Sequence, residues 1–340
     1  MLIQLKKDIS ELQQNQILEL MVNTYRLKPQ CIDTPRAKYV VAPSGDKPLD
    51  IRVLGGLDGV KDIHRVSDAY KLVSSAWRIQ PTSIDLGDEV RIEKGGLSIM
   101  AGPCSIESEE QIVETLDFLR AKGVQIMRGG VYKPRSSPYS FRGLGIEGLK
   151  LWYEHANQRG IKIITEIMSV DQMKEMMPYV DVFQVGTRNA QNFNLLDALG
   201  RQSKPVLIKR GMSATLDELL QAAEYVFSSG NEDIMLCERG IRTYEKSYRN
   251  CMDTNAISLL KEKTHLPVIA DPSHGIGIRK YVPQVAYSAI MAGADGVLLE
   301  IHPRPDEAFS DAQQTLGFRT AERCFQGVRE TFALRVKLES

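Results

Sequence analysis

Four residues far apart in the chain, Cys104, His274, Glu300 and Asp311, offer one thiol, one imidazole and two carboxylates. Such a mixed sulfur, nitrogen and oxygen set suits a divalent transition ion, and Mn, Fe, Co and Zn are all compatible with those donors. A second set is cationic: Arg128, Lys133, Arg135, Arg188, Lys209 and Arg239. Guanidinium forks hold phosphate and carboxylate through paired hydrogen bonds, while a compact ammonium neutralises charge or donates a proton. Several such cations around one pocket call for a substrate with several negative groups. Lys209 also admits another chemistry, because a desolvated amine is a competent Schiff-base nucleophile. The neighbouring Arg210 and the full donor set favour electrostatic and metal catalysis instead. Taken singly, these residues have plainer readings. A lone cysteine is usually a small buried hydrophobe, a histidine after Pro-Ser can cap a turn, and rim charges pair with nearby carboxylates. Convergence at one place is what overrules them.

The elements that position these residues predict that convergence. Short apolar runs recur at residues 97–101, 124–127, 161–165, 180–185, 205–208, 233–237, 267–270 and 296–301, each ending in polar, Gly or charged residues. Between two of them, Leu216, Leu219, Leu220, Ala223, Val226 and Phe227 share one helical face, with Thr215 and Glu218 at capping-box spacing. Eight strands alternating with helices predict an α/β fold, a (β/α)8 TIM barrel over residues 97–340. A doubly wound open sheet is the rival, weakened because no Gly-x-Gly-x-x-Gly turn follows the first run. The C-terminal strand ends of such a barrel carry its chemistry. Both sets lie there: Cys104 after the first run, Arg128 to Ser136 at the second, Glu166 at the third and Arg188 after the fourth. Lys209, Arg239 and His274 follow at the fifth, sixth and seventh, with Glu300 and Asp311 at and beyond the eighth.

Residues 1–75 read as a small α+β unit. A strand at 1–6, a helix capped by Asp8 with Leu12, Ile17, Leu20 and Met21 as its buried stripe, and strands at 37–42 and 50–54 are expected. A short helix near 57–63 and a strand near 69–73 would complete the β-α-β-β-α-β, ferredoxin-like order. Residues 76–96 read as a linker with a β-hairpin of 83–86 and 90–93 turning at Gly87-Asp88.

Composition narrows the class. The 340 residues balance 43 Lys+Arg against 43 Asp+Glu, so bulk charge draws the chain to neither nucleic acid nor anionic lipid. Hydrophobic residues at 43% and charged ones at 25% exclude a disordered or fibrous chain. The first residues lack the pattern of a signal peptide, and no apolar run approaches the roughly 20 residues of a membrane span. Five cysteines without a CxxC pair fit a reduced, cytoplasmic protein.

Gly102-Pro103-Cys104-Ser105, Arg128-Gly129-Gly130 with Lys133-Pro134-Arg135-Ser136-Ser137, Lys209-Arg210-Gly211, Cys237-Glu238-Arg239-Gly240 and Asp271-Pro272-Ser273-His274 resemble, in this order, the 3-deoxy-D-arabino-heptulosonate 7-phosphate synthases. The resemblance runs from about residue 83 to the end. It implies condensation of phosphoenolpyruvate with erythrose 4-phosphate at the entry to the shikimate pathway. It also implies Cys104, His274, Glu300 and Asp311 as ligands of a divalent metal ion. Arg128, Lys133, Arg188, Lys209 and Arg239 would hold phosphoenolpyruvate, and Arg135 with Ser136 the phosphate of the aldose. The chemistry makes Lys133 the candidate for proton transfer and Glu166 a candidate for orienting water. The sister 3-deoxy-D-manno-octulosonate 8-phosphate synthases, which use arabinose 5-phosphate, typically read Lys-Ala-Asn-Arg-Ser-Ser where this chain has Lys133-Pro134-Arg135-Ser136-Ser137. Residues 1–75 are similar to the regulatory extension of the Iβ-type members, which implies an aromatic amino-acid effector and a homotetramer. A Lys209 Schiff-base aldolase and a non-catalytic sensing scaffold are the remaining readings.

Overall fold

The computed structural model describes residues 1–43, 50–78, 80–134, 137 and 139–340. Eight parallel strands form the centre: β7 (Ser98–Gly102), β8 (Ile126–Gly129), β9 (Lys162–Ile167), β10 (Val182–Val185), β11 (Val206–Lys209), β12 (Ile234–Glu238), β13 (Val268–Ala270) and β14 (Gly296–His302), numbered after six strands that precede them. Each pairs with the next, and β14 returns to β7, so the sheet closes. This is the (β/α)8 barrel that the apolar runs predict. Strands covered on both faces read as nearly continuous apolar runs, which is why the sequence marks them so clearly.

The outer layer comprises α3 (Glu109–Ala121), α4 (Gly145–Asn157), α5 (Met173–Met176), α6 (Phe193–Gly200), α7 (Leu216–Ser228), α8 (Thr254–Lys263), α9 (Pro272–Ile276), α10 (Val282–Met291) and α11 (Phe318–Glu339), after α1 and α2 of the N-terminal unit. In α7 the Thr215 hydroxyl accepts from the Glu218 N–H at 3.2 Å while Glu218 Oε2 accepts from the Thr215 N–H at 2.7 Å. That reciprocal pair satisfies two otherwise orphaned donors at the helix start. Among the described residues no helix is long and apolar enough to cross a membrane.

The hairpin appears where expected, as β5 (Ser83–Asp85) and β6 (Arg91–Glu93). Its function in the fold is to plug the barrel: Ile84, Val90 and Ile92 join Met100, Ile126, Ile164, Leu207, Met235 and Leu298 in one buried cluster. The floor is thus dry and apolar, and polar strand-end residues are left to the opposite rim.

The N-terminal unit keeps the β-α-β-β-α-β order, but with different elements from those expected. It consists of β1 (Leu2–Leu5), α1 (Glu11–Asn23), β2 (Gln30–Asp33), β3 (Lys38–Val41), α2 (Ile51–Gly55) and β4 (Val60–His64), in an antiparallel sheet of order β2-β3-β1-β4. Ser10, not Asp8, caps α1, because Gln13 completes a capping box with it. Leu12 is 69% exposed rather than part of the buried stripe. The segment at 50–54 is a helix instead of a strand, since the Asp50 carboxylate accepts from the Arg52 N–H and starts a turn. The 57–63 helix is β4, which begins just after the Gly59 turn at φ +94° and pairs with β1. Residues 69–73 form no strand; their backbone is used by the barrel. The Glu224 carboxylate accepts from the N–H groups of Lys71, Leu72 and Val73 at 2.8 to 3.1 Å.

The small sheet is packed on both faces. Ile3 and Val40 meet Ile17 and Met21 of α1, whereas Leu2, Ile32 and Tyr39 belong to the cluster that continues into the barrel helices. Tyr39 sets its ring edge-on to Phe227 of α7, centroids 5.7 Å apart, and to Trp77 at 5.4 Å.

Candidate active site

The rim at the C-terminal strand ends is built by close backbone approach. At Gly102 a Cβ would lie 2.0 Å from the Arg128 carbonyl oxygen, so only glycine lets β7 and β8 come together there. The next residues turn Cys104 inward, 3% exposed. Its Sγ–H donates to Asp311 Oδ2 at 3.2 Å, and Lys133 Nζ donates to its carbonyl at 2.9 Å and to its sulfur at 3.1 Å. Arg128 projects from β8 into the barrel, donating through Nη1 to the Pro103 carbonyl at 2.9 Å and to Glu300 Oε1 at 3.1 Å.

Asp271, one residue past β13, caps the short α9 by accepting from the His274 N–H at 3.0 Å. That places the His274 ring beside the acids. Its Nε2 lies 3.6 Å from Glu300 Oε1 and 3.8 Å from Asp311 Oδ2. Its Nδ1 is 2.7 Å from Asp271 Oδ2 without the alignment of a hydrogen bond. One ligand atom from each of Cys104, Glu300 and Asp311 falls within 4.8 Å of the others. A thiol and two carboxylates are therefore gathered at one point, with the His274 imidazole against the two carboxylates, and the donor types fit a divalent transition ion.

Electrostatics follow from burial. Burial pushes the Cys104 thiol up to about 12, Glu300 and Asp311 adding to the effect and Lys133 and Arg128 opposing it. For Asp311, burial favours the neutral acid, but His274 and Arg249 outweigh it and hold the group down to about 2. Asp271 is also held well below the usual carboxylate range, because the His274 and Lys209 contacts more than offset burial. Burial pulls His274 below its ordinary value, toward the neutral imidazole that a metal requires.

The second set lines a cavity over this cluster. Arg128, Lys133, Arg188, Lys209 and Arg239 all face it, together with Glu166 and Gln184. Lys209 Nζ pairs with Asp271 Oδ2 at 2.5 Å. Arg239 is buried, with Nη1 donating to the Gly240 carbonyl at 3.2 Å. Among the described residues the Nε–H groups of Arg128 and Arg239 find no acceptor. Arg135 and Ser136, expected at the aldose phosphate, lie outside the described residues. Arg210 turns away from the cavity to ion-pair with Glu238 at 2.8 Å and Asp253 at 3.0 Å, a structural role.

Three cavity or cluster residues were not anticipated as site residues. Asp271 sits inside the Asp-Pro-Ser-His motif and could have been found there. Gln184 is an inward residue of a fully buried strand, a signal in itself. Arg249, which lines the cavity and donates to Asp311 Oδ1 at 3.0 Å, comes from an irregular segment with no periodicity to mark it.

The sequence profile described as the DAHP synthetase I family matches residues 80–335. The chain belongs to that family. A phospho-2-dehydro-3-deoxyheptonate aldolase of Thermotoga maritima is 42% identical over 340 residues, spanning 99% of this chain and 100% of the relative. A 2-dehydro-3-deoxyphosphooctonate aldolase of Coxiella burnetii is 34% identical over 234 residues, 63% of this chain and 82% of that protein. The crystal structure of the Thermotoga maritima DAHP synthase superposes with a TM-score of 0.78 at 40% identity, covering 98% of both chains. A truncated form of the same organism's enzyme covers 78% of this chain and 98% of its own, with a TM-score of 0.73 at 42% identity. As a DAHP synthetase I family member, the chain carries its small N-terminal unit in common with the full-length relative, whereas the octonate-type match spans less than two thirds of it.

Proposed function

We propose that the cavity binds phosphoenolpyruvate and erythrose 4-phosphate and condenses them. The products are 3-deoxy-D-arabino-heptulosonate 7-phosphate and inorganic phosphate, in the first step of the shikimate pathway. The observation that carries this reading is the full-length match to a heptonate-type enzyme, on a barrel whose mouth brings six cations beside a thiol–carboxylate cluster.

Arg128, Arg188, Lys209 and Arg239 hold the phosphate and carboxylate of phosphoenolpyruvate, so the nucleophilic C3 carbon faces the aldehyde and positioning supplies part of the acceleration. Cys104, His274, Glu300 and Asp311 would hold the divalent ion, which when bound supplies a Lewis acid toward the aldehyde oxygen. A new C–C bond forms between C3 and the aldehyde carbon, and C2 takes up water as cationic character develops. The C2–O bond to phosphate then breaks, releasing inorganic phosphate and leaving the ketone. Lys133, whose Nζ is 3.1 Å from Cys104 Sγ, would donate a proton to the new alkoxide. Glu166, which also lines the cavity, would take one from the water.

Arg135 and Ser136 are proposed to receive the aldose phosphate, on the motif alone. The identity of the ion as Mn, Fe, Co or Zn, the homotetramer, the cytoplasmic setting and a tyrosine or phenylalanine effector acting through residues 1–75 are likewise proposals that rest on the resemblance.

Phosphate release from phosphoenolpyruvate, assayed with each aldose and with or without chelator, tests the reading. Turnover should need erythrose 4-phosphate, stop on exhaustive chelation and return with Mn²⁺. Preference for arabinose 5-phosphate would reassign the chain to the octulosonate reaction. Full activity after chelation would remove the metal from the mechanism.

A further inference from the structure

The two carboxylates of the cluster each divide their oxygens between two tasks. Glu300 Oε1 and Asp311 Oδ2 face His274 Nε2, at 3.6 and 3.8 Å; Glu300 Oε1 also accepts from Arg128 Nη1 at 3.1 Å, and Asp311 Oδ2 from Cys104. The other two oxygens are already taken. Glu300 Oε2 accepts from Gln314 Nε2 at 2.7 Å, and Asp311 Oδ1 accepts from Arg249 Nη1 at 3.0 Å. Arg249 Nη1 also donates to Gln314 Oε1 at 2.7 Å, which links four side chains in one network: Glu300, Gln314, Arg249 and Asp311.

The network is over-determined. Gln314 is fully buried, and its amide orientation is dictated, since its oxygen meets a guanidinium donor and its nitrogen a carboxylate acceptor. The Gln314 N–H donates to the Asp311 carbonyl at 3.1 Å, and the Thr315 hydroxyl donates to the same oxygen at 3.0 Å. These bonds hold Asp311 at φ +52°, a left-handed conformation that costs a non-glycine residue energy. Strain held this firmly beside a ligand cluster points to a geometric requirement.

We propose that Arg249 and Gln314 are positioning residues that restrict Glu300 and Asp311 to one coordinating oxygen each on a divalent transition ion, an inference that rests on the metal-site reading above. A carboxylate with both oxygens free can swing or chelate. With its outer oxygen tied to a donor, it presents only the inner one. Partners of this kind commonly alter metal affinity by about 10- to 100-fold. Because Arg249 also lines the cavity, the same network joins the buried Glu300 to the open side of the site.

Metal-free full-length protein titrated with Co²⁺ and Mn²⁺ tests this, comparing wild type with Arg249→Met, Arg249→Lys, Gln314→Met and Cys104→Ala. Wild type should bind one ion with a Cys104-dependent thiolate charge-transfer band. Arg249→Met and Gln314→Met should bind about 10- to 100-fold more weakly, keep that band, and change the Co²⁺ d–d spectrum. Arg249→Lys should recover part of the affinity. A purely structural role would lower the melting temperature of the metal-free variants and leave affinity and spectrum unchanged, which would overturn the proposal while the metal site stood. If Gln314→Met does not fold, Arg249→Met, altered at a partly exposed side chain, decides alone. Absence of stoichiometric Co²⁺ binding to wild type, or equal binding by Cys104→Ala, would instead overturn the metal-site reading, and the positioning proposal with it.

Discussion

Lys209 Nζ and Asp271 Oδ2 meet at 2.5 Å in the barrel mouth, with side chains only 5% and 1% exposed. The same carboxylate oxygen lies 2.7 Å from His274 Nδ1. One buried anion therefore touches both halves of the site, the cation set through Lys209 and the donor cluster through His274.

That pairing ties the Lys209 amine to a carboxylate, which argues against its use as a free carbonyl nucleophile. Borohydride added during turnover should trap no adduct on Lys209 by mass spectrometry; a reduced adduct there would establish the Schiff-base route. Lys209→Met should leave Asp271 buried beside one partner fewer and cost about 3–5 kcal/mol of stability in a denaturant titration.

Gly186 offers a test of Glu166 that leaves the glutamate in place. A Cβ at position 186 would lie 1.9 Å from Glu166 Oε1 and 2.6 Å from its Cδ. The clash falls on the far end of a flexible side chain, so the fold should accommodate Gly186→Ala by swinging the carboxylate aside. We expect near-normal melting and a kcat lowered by about 10²-fold, similar to Glu166→Gln, since that is the usual scale of one general acid or base. Wild-type kcat in both variants would remove Glu166 from the chemistry.

Much of the barrel was legible because its strands are buried on both faces, so each reads as an apolar run whatever its neighbours do. All eight runs appear as strands, and the α7 face and its Thr215–Glu218 cap appear as spaced. The N-terminal unit was harder for a physical reason. In β2 only Ile32 is buried, so a period-two signal hardly exists, and five-residue α2 depends on the Asp50 cap rather than on periodicity. Cys104, His274, Glu300 and Asp311 were readable as types at strand ends. The Gln314 and Arg249 contacts were not, because they exist only once the Asp311 turn has folded.

His265 predicts an acid-sensitive seam between the barrel and the segment 65–78 that straps across it. Its Nε2–H donates to the Leu72 carbonyl at 2.8 Å and its Nδ1 accepts from the Thr82 hydroxyl at 2.7 Å, an arrangement that needs the neutral ring. Burial lowers its pKa from about 6.5 to about 3. The folded ring therefore stays neutral over a range where the unfolded one takes up a proton. Its contribution is complete above about pH 6.5 and falls by about 1.4 kcal/mol per pH unit toward pH 3. Unfolding free energies measured across that range should show a shallower slope for His265→Gln. Equal slopes would mean that other groups set the acid response.

The strap at 65–78 separates two ways of removing the N-terminal unit. Leu72 and Val73 are fully buried, Trp77 donates from Nε1 to the Leu72 carbonyl at 2.9 Å, and Thr264 donates from its hydroxyl to the Val73 carbonyl. A chain of residues 65–340 keeps these contacts and the three N–H donors of Glu224, while one of residues 76–340 loses them. Burying an aliphatic side chain contributes about 1.5–3 kcal/mol, so losing Leu72 and Val73 together should cost the shorter chain at least about 3 kcal/mol. Both chains retain every described residue of the cavity and should condense the two substrates, with any response to tyrosine or phenylalanine abolished in each. Equal denaturation midpoints for the two would show that the strap belongs to the N-terminal unit rather than to the barrel.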